Sequence, residues 1–200
     1  MKHHSGLTKK IIAGKFKGKS LKLPSKTTTR SSKSIVLESF FNTIQYDIID
    51  ATFVELFSGS GSIGLEALSR GAARIIFMEQ DRSALKTLQE NIGQTDPARC
   101  EVVAGDTFVN IGQVAARLKK LEEPAYFYID PPFSIREGHE SIYDKMMRLI
   151  ADLPESVVNV IIVEHMTGLE LPEKLGAFSI RKSKKFGKTS LTYFELETQF

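Results

Sequence analysis

The hydrophobic pattern changes character near residue 52. Ahead of that point, Lys10-Ile11-Ile12-Ala13 and Ser20-Leu21-Lys22-Leu23 read as two short strands. They are joined through Gly14-Lys15-Phe16-Lys17-Gly18-Lys19, whose glycines allow the reversal, and Pro24 ends the second strand. Residues 27–30 form a polar link. Ile35, Leu37, Phe40, Phe41 and Ile44 then recur at helical spacing, predicting a helix over residues 34–46 with Ser32 or Ser34 as its N-cap.

Beyond residue 52 the texture is strand, turn, helix, repeated. Strands are expected over 52–57, 74–79, 101–104, 125–130 and 157–164. The helices between them fall at 61–70, closed by Gly71; at 82–92, capped by Asp81; at 107–121, opened by Asp106; and at 140–151. Two final stretches, 178–181 and 189–197, read as an antiparallel finish. This alternation predicts an α/β fold: a doubly wound, mostly parallel, seven-stranded Rossmann-like sheet with a small N-terminal hairpin and helix extension. Ligands in such sheets bind at the carboxyl ends of the strands. The expected division is a basic extension over 1–33 and a catalytic domain over 34–200.

Charge sharpens the picture. The net charge is only +3, yet the chain carries ten basic side chains before Glu38 and no acid among them. A second basic run comprises Arg181, Lys182, Lys184, Lys185 and Lys188. Basic ends around an acidic body point to a polyanion beside a site for a different ligand. No apolar run reaches the roughly eighteen residues that a membrane span requires, and the single cysteine, Cys100, excludes an intrachain disulfide and a cysteine metal cluster. No metal site is expected. His139 and His165 read as structural or surface residues, Tyr126, Phe127 and Tyr128 as core, and Tyr143, Met146 and Met147 as a packed helix face.

The loop after the first strand of the repeating region reads Glu55-Leu-Phe57-Ser58-Gly59-Ser-Gly61-Ser-Ile-Gly64. Gly59, Gly61 and Gly64 make a Gly-x-Gly-x-x-Gly pattern between strand and helix, as used for NAD, FAD and S-adenosylmethionine (AdoMet) alike. Glu55 places negative charge near the loop, which suits an ammonium and a sulfonium better than a pyrophosphate. Glu79, ending the next strand, can accept hydrogen bonds from two ribose hydroxyls. Asp106 is placed to meet an adenine amino group or to serve as a helix N-cap, and one side chain can do both.

Asp130-Pro131-Pro132-Phe133 ends the fourth of these strands. An aromatic amine attacks carbon poorly because its lone pair is delocalised into the ring. Acceptors at the Asp130 carboxylate and the Pro131 carbonyl would favour sp³ character at that nitrogen. They would also stabilise the positive charge that grows there as the bond to carbon forms. The prolines fix the turn, and Phe133 offers a face on which a flipped base can stack. The pattern points to methyl transfer from AdoMet to an exocyclic amine of a nucleic-acid base.

These motifs resemble the class I AdoMet-dependent amino-methyltransferases, and within them the RsmD-type small-subunit ribosomal RNA guanine-N2 methyltransferases. The resemblance spans nearly the whole chain. It is carried by the hairpin from Lys10 to Lys19, by Glu38-Ser-Phe-Phe-Asn42, by the run from Phe57 to Gly71 and by Phe186-Gly187 with Thr189. It implies that Asp130, Pro131, Pro132 and Phe133 surround the target base, and that Glu55, Phe57, Ser58, Gly59, Gly61, Gly64, Glu79 and Asp106 hold AdoMet. It implies RNA contacts from Lys15, Lys17, Lys19, Arg30, Lys184, Lys185 and Lys188, and as substrate the N2 of one guanine of 16S ribosomal RNA within the small subunit or an assembly intermediate. A cytoplasmic monomer is expected. The family's Arg-Pro-Thr segment is replaced by Arg30-Ser-Ser-Lys-Ser-Ile35.

Three other readings compete. A DNA adenine-N6 methyltransferase shares the motif order but generally needs a target-recognition domain for which 200 residues leave no room. A nicotinamide-dependent oxidoreductase shares the glycine pattern but needs neither basic ends nor Asp-Pro-Pro-Phe. A non-catalytic RNA-binding scaffold would have no use for Asp130 and Phe133.

Overall fold

The computed structural model describes residues 7–24, 34–132 and 142–197. Arg30, Phe133 and His139 lie outside the described residues, as do the polar link at 27–30 and Ser32. Two strands, β1 (Thr8–Lys10) and β2 (Ser20–Lys22), form the N-terminal hairpin, with Lys9 opposite Leu21. An eight-stranded sheet follows. Its strands are β3 (Thr52–Leu56), β4 (Arg74–Glu79), β5 (Cys100–Ala104), β6 (Ala125–Ile129), β7 (Val158–Met166), β8 (Lys174–Leu175), β9 (Phe178–Phe186) and β10 (Thr189–Leu196). The helices are α1 (Ser34–Thr43), α2 (Ser62–Ser69), α3 (Arg82–Ile92), α4 (Thr107–Leu121) and α5 (Ile142–Ala151).

The spatial order is β5-β4-β3-β6-β7-β10-β9-β8. Strands β3 to β7 run parallel, and β10, β9 and β8 complete the sheet antiparallel. The sheet therefore has one more strand than the sequence pattern predicts. The extra one, β8, is a two-residue edge too short to carry a periodic signal.

Both faces of the sheet are covered, so the central strands read as unbroken apolar runs. On one face Phe53, Phe77, Tyr128 and Ile162 pack beneath α1, α2, α3 and the hairpin. On the other, Val54, Ile76, Phe127 and Ile161 pack beneath α4 and α5. Phe40 of α1 sits at the centre of the first layer, with ring centroids 4.6 Å from Phe41 and 5.1 Å from Tyr128. Asp81 and Asp106 cap α3 and α4, accepting from the amides of Ala84 and Phe108 at 2.8 Å each.

The first strand of the hairpin lies two to three residues earlier than the hydrophobic pattern suggests, and the cause is a buried acid. Glu66 of α2 takes the amides of Ile12 (2.7 Å) and Ala13 (3.1 Å) on its carboxylate, so these residues leave the strand ladder. Arg70 pairs with the same carboxylate at 2.7 Å. Ser69 accepts from the Phe16 amide at 2.9 Å, and Asn91 of α3 accepts from the Lys22 amide at 2.8 Å. A Cβ at Gly14 (φ +82°) would stand 1.8 Å from the Ser69 carbonyl oxygen, so the backbone must be bare there. Ile11, Phe16 and Leu21 join the same core as α1 and α2.

Removing Glu66 should therefore loosen the hairpin before it disturbs the sheet. Glu66→Ala leaves two amides and Arg70 without their acceptor and is expected to cost about 3 kcal/mol. Hydrogen exchange should show the Ile12 and Ala13 amides losing protection first. Unchanged protection there would show that apolar packing alone holds the hairpin.

Candidate active site

The chain runs from β3 outward through β4 to β5, then returns to the other side of β3 as β6 and β7. The strand order thus reverses between β3 and β6, and a crevice opens at their carboxyl ends. A cavity of about 360 Å³ occupies it, lined by Phe57, Gly59, Glu79, Gln80, Asp81, Ala84, Asp130 and Pro132, among others. That volume lies in the usual range for a small-molecule site.

The glycine loop is shaped by buried acceptors. Phe57, Gly59 and Gly61 all have positive φ, at 58°, 55° and 74°. Gly59 faces open space and borders the cavity, so a ligand can approach its backbone closely. A Cβ on Gly64 would come within 2.5 Å of the Phe77 ring and 2.9 Å of the Glu55 carboxylate. Its role is close packing of α2 on the sheet.

Glu55 is buried and accepts from the Gly64 amide at 2.8 Å, so it ties the start of α2 to β3. Burial pushes its carboxyl up to about 8, against the opposing amides of Gly64 and Ile63 and the charge of Lys9. Ser58 donates to the Glu55 carbonyl at 2.7 Å and accepts from the Met78 amide at 2.9 Å, stitching β3 to β4. Glu79 takes the Gly59 amide on one oxygen (2.7 Å) and the amides of Gln80 and Asp81 on the other (2.8 Å each). The oxygen that takes Gly59 alone keeps a second lone pair, which leaves acceptor capacity toward the cavity it lines.

Asp130 and Pro132 border the same cavity as Glu79, and Pro131 between them in sequence is buried. Burial first, then the charges of Glu164 and Glu55, raise the Asp130 carboxyl well above its ordinary value, opposed by Lys9. Asp106 is exposed at the mouth of α4 and makes the helix cap. Phe57 packs against Phe108, with ring centroids 5.5 Å apart.

Sequence reasoning missed three groups. The lining from Gln80 to Ala84 has no motif, because only the turn after β4 brings it to the cavity. Glu164 lies near the carboxyl end of β7, one residue past the partner of Ile129, and an acid there was a signal open to reading. Lys9 was visible only as one more basic residue, yet it lies half-buried with its Nζ 3.4 Å from the Ser62 hydroxyl. His165 is a structural residue, bonded to the Met166 carbonyl and the Thr192 hydroxyl. No group of residues suited to a metal ion occurs among the described residues.

The basic side chains divide. Lys17, Lys185 and Lys188 are exposed. Lys15 and Lys19 flank the Phe16 ring at 5.2 and 5.7 Å. Lys184 donates to the Ser39 and Thr43 hydroxyls of α1 at 3.1 and 3.2 Å, and desolvation with the nearby Lys182 depresses its basicity.

Three comparisons bear on this geometry. A family profile described as conserved hypothetical protein 95 matches residues 9–195. Ribosomal RNA small subunit methyltransferase D of Escherichia coli K12 is 29% identical over 201 residues, covering 98% of this chain and 95% of the relative. The solved structure of the yhhF protein of Escherichia coli, assigned as a methyltransferase, superposes with a TM-score of 0.74 at 26% identity, covering 96% of this chain and 100% of that one. The fold alone is shared with the protein SMU.776, assigned as a methyltransferase and complexed with SAH (TM-score 0.54, 14% identity, 78% of this chain and 49% of that one).

The raised Glu55 carboxyl has a consequence for stability in the absence of ligand. Its folded value near 8 stands above the ordinary 4.5, so the folded state holds the proton more tightly and loses this contribution as pH rises toward 8. Glu55→Gln keeps an acceptor for Gly64 and removes the ionisation. Its thermal midpoint is expected to gain on the parent's as pH rises through this window. Parallel pH profiles would show that Glu55 is ionised throughout.

Proposed function

The chain belongs to the conserved hypothetical protein 95 family, and from that premise we propose that it is an AdoMet-dependent methyltransferase acting on the exocyclic N2 of a guanine in 16S ribosomal RNA. The observation that carries this reading is the cavity at the strand-order reversal. There the bare Gly59 backbone and the Glu79 carboxylate line one cavity with Asp130 and Pro132. The residues fit the cofactor. Gly59 leaves space at its Cα for a close ligand, Glu79 retains a lone pair on its Gly59-bound oxygen for a ribose hydroxyl, and buried acids favour a cationic headgroup.

Bound in that cavity, AdoMet supplies a methyl carbon made electrophilic by its sulfonium. Asp130 and the Pro131 carbonyl accept hydrogen bonds from the target amine, orient its lone pair at the methyl and stabilise the charge it acquires. Held beside Gly59 and Glu79, the cofactor would supply the methyl group to that nitrogen with its sulfur as the leaving group, keeping the bond's electron pair. The methylated nitrogen then sheds one proton to Asp130, whose raised proton affinity suits it to accept. Glu55, Ser58, Gly61 and Gly64 act on the cofactor through the loop they hold in shape. Asp106 meets the adenine amino group with the oxygen its cap leaves over. Phe133 stacks on the flipped base.

The RNA is held by Lys15, Lys17, Lys19 and Arg30 from the extension over 1–33, and by Lys184, Lys185 and Lys188 from the β9–β10 hairpin. The substrate is the small ribosomal subunit or an assembly intermediate, because a chain of 200 residues is too small to unfold structured RNA alone. The enzyme works as a monomer in the cytoplasm. Among the described residues no helix is long and apolar enough to cross a membrane.

Transfer of labelled methyl from AdoMet to small subunits lacking their own modification, followed by nucleoside analysis, tests the whole reading. N2-methylguanosine at one site is expected. N6-methyladenine in DNA instead would retain the chemistry and overturn the substrate. Asp130→Ala should lower transfer by about three orders of magnitude or more while AdoMet affinity holds; loss of AdoMet binding would mean that Asp130 serves the cofactor. Neutralising Lys15, Lys17 and Lys19 together should reduce the slope of log affinity against log salt by roughly two to three. An unchanged slope would remove the hairpin from the RNA interface.

A further inference from the structure

Three acids lie near the carboxyl ends of three neighbouring strands on one face of the sheet: Glu55 on β3, Asp130 just past β6 and Glu164 on β7. Ile129 is in register with Val163, so Asp130 and Glu164 lie level with each other on adjacent strands, which run about 4.8 Å apart. Alternation puts their side chains on the face of Tyr128 and Ile162, the face covered by the hairpin, α1 and α2. Glu164 is buried, and the Tyr128 hydroxyl donates to its carboxylate at 2.6 Å. Lys9 of β1 sits beside Ser62 at the start of α2, where its charge interacts with those of Glu55, Glu164 and Asp130. The groups that bear on Asp130 are thus Glu164 from β7, Glu55 from β3 and Lys9 from the hairpin, while Tyr143 of α5 in turn senses Asp130 and Glu164.

An acid that must accept hydrogen bonds from an amine, then take a proton from its methylated product, has to be ionised yet basic. Two carboxylates side by side raise each other's proton affinity, and a neighbouring ammonium lowers it. We propose that Glu164 and Lys9 are positioning residues for methyl transfer. Anchored by Tyr128, Glu164 raises the proton affinity of Asp130 from the neighbouring strand, and Lys9, delivered by the N-terminal hairpin, restrains it from above. The hairpin is then part of the reaction centre as well as of the RNA grip. Burial and Glu164 shift the Asp130 carboxyl upward, and Lys9 opposes them, in keeping with this arrangement.

The proposal rests on Asp130 being the acceptor for the target amine. Its signature is a pair of opposite shifts, which loss of packing does not imitate. The pH profile of kcat for methyl transfer to small subunits, at saturating AdoMet, should have an acid limb where Asp130 becomes protonated. Glu164→Gln removes a charge that raises Asp130, so the limb should move to lower pH by roughly one unit, and Glu164→Asp should restore it. Lys9→Met removes a charge that lowers Asp130, so the limb should move to higher pH by a comparable amount. KM for AdoMet should hold in both.

Shifts in the same direction, or limbs unmoved while Asp130→Asn abolishes transfer, would overturn the role of Glu164 and Lys9 and leave the proposed function standing. Full transfer in Asp130→Asn would instead remove the premise. Should Glu164→Gln fail to fold, the alkaline shift in Lys9→Met decides the matter alone, since an unmoved limb there is sufficient to reject it.

Discussion

The structure depends on how the backbone amides of the glycine loop are satisfied where the parallel strands end. A loop that turns from β3 into α2 at the heart of the sheet cannot rely on water for those donors, and an unmet buried amide costs roughly 1–3 kcal/mol. The chain meets them with carboxylates. Glu55 takes Gly64, and Glu79 takes Gly59 together with the two amides that lead into α3. Ser58 completes the set by cross-linking the ends of β3 and β4. The shape of the cavity, the start of α2 and the start of α3 all follow from this arrangement.

The same device recurs one layer out. Glu66, buried on α2, does for the hairpin what Glu55 does for the loop, accepting two amides that have left their strand. Helix α2 is therefore held at its start by an acid from the sheet and holds, through its own acid, the segment that delivers Lys9. A short helix thus links the glycine loop to the N-terminal extension through hydrogen bonds at both of its sides.

Electrostatics then follow from geometry. Parallel strands that end together bring their terminal side chains together, so acids at the ends of β3, β6 and β7 share one desolvated region. Such a cluster is costly for ionised groups unless cations enter it. Lys9 supplies one, and the cationic sulfonium and ammonium of AdoMet fit the remaining excess. The protein's acidic centre and basic periphery are two parts of one scheme, the first suited to the cofactor and the second to RNA.

Much of this was legible along the chain. The strands from β3 to β7, the caps at Asp81 and Asp106, and the placement of the glycine loop and of Asp130 at strand ends all follow from periodicity and local turn chemistry, which act over a few residues. The family signature in those motifs carried the reaction class. Other features could not be read that way. Lys9 looks like any other lysine of the basic segment, and only its seat over α2 turns it inward. Glu66 reads as a helical acid, and only the approach of Ile12 and Ala13, more than fifty positions away, makes it a clasp. Glu164 lies near a strand's end in plain view, but its neighbour is set by β7 lying beside β6. Local sequence determined the elements and their chemistry, because those depend on near neighbours. Tertiary structure decided which charges meet, because burial and long-range pairing exist only once the sheet has closed over them.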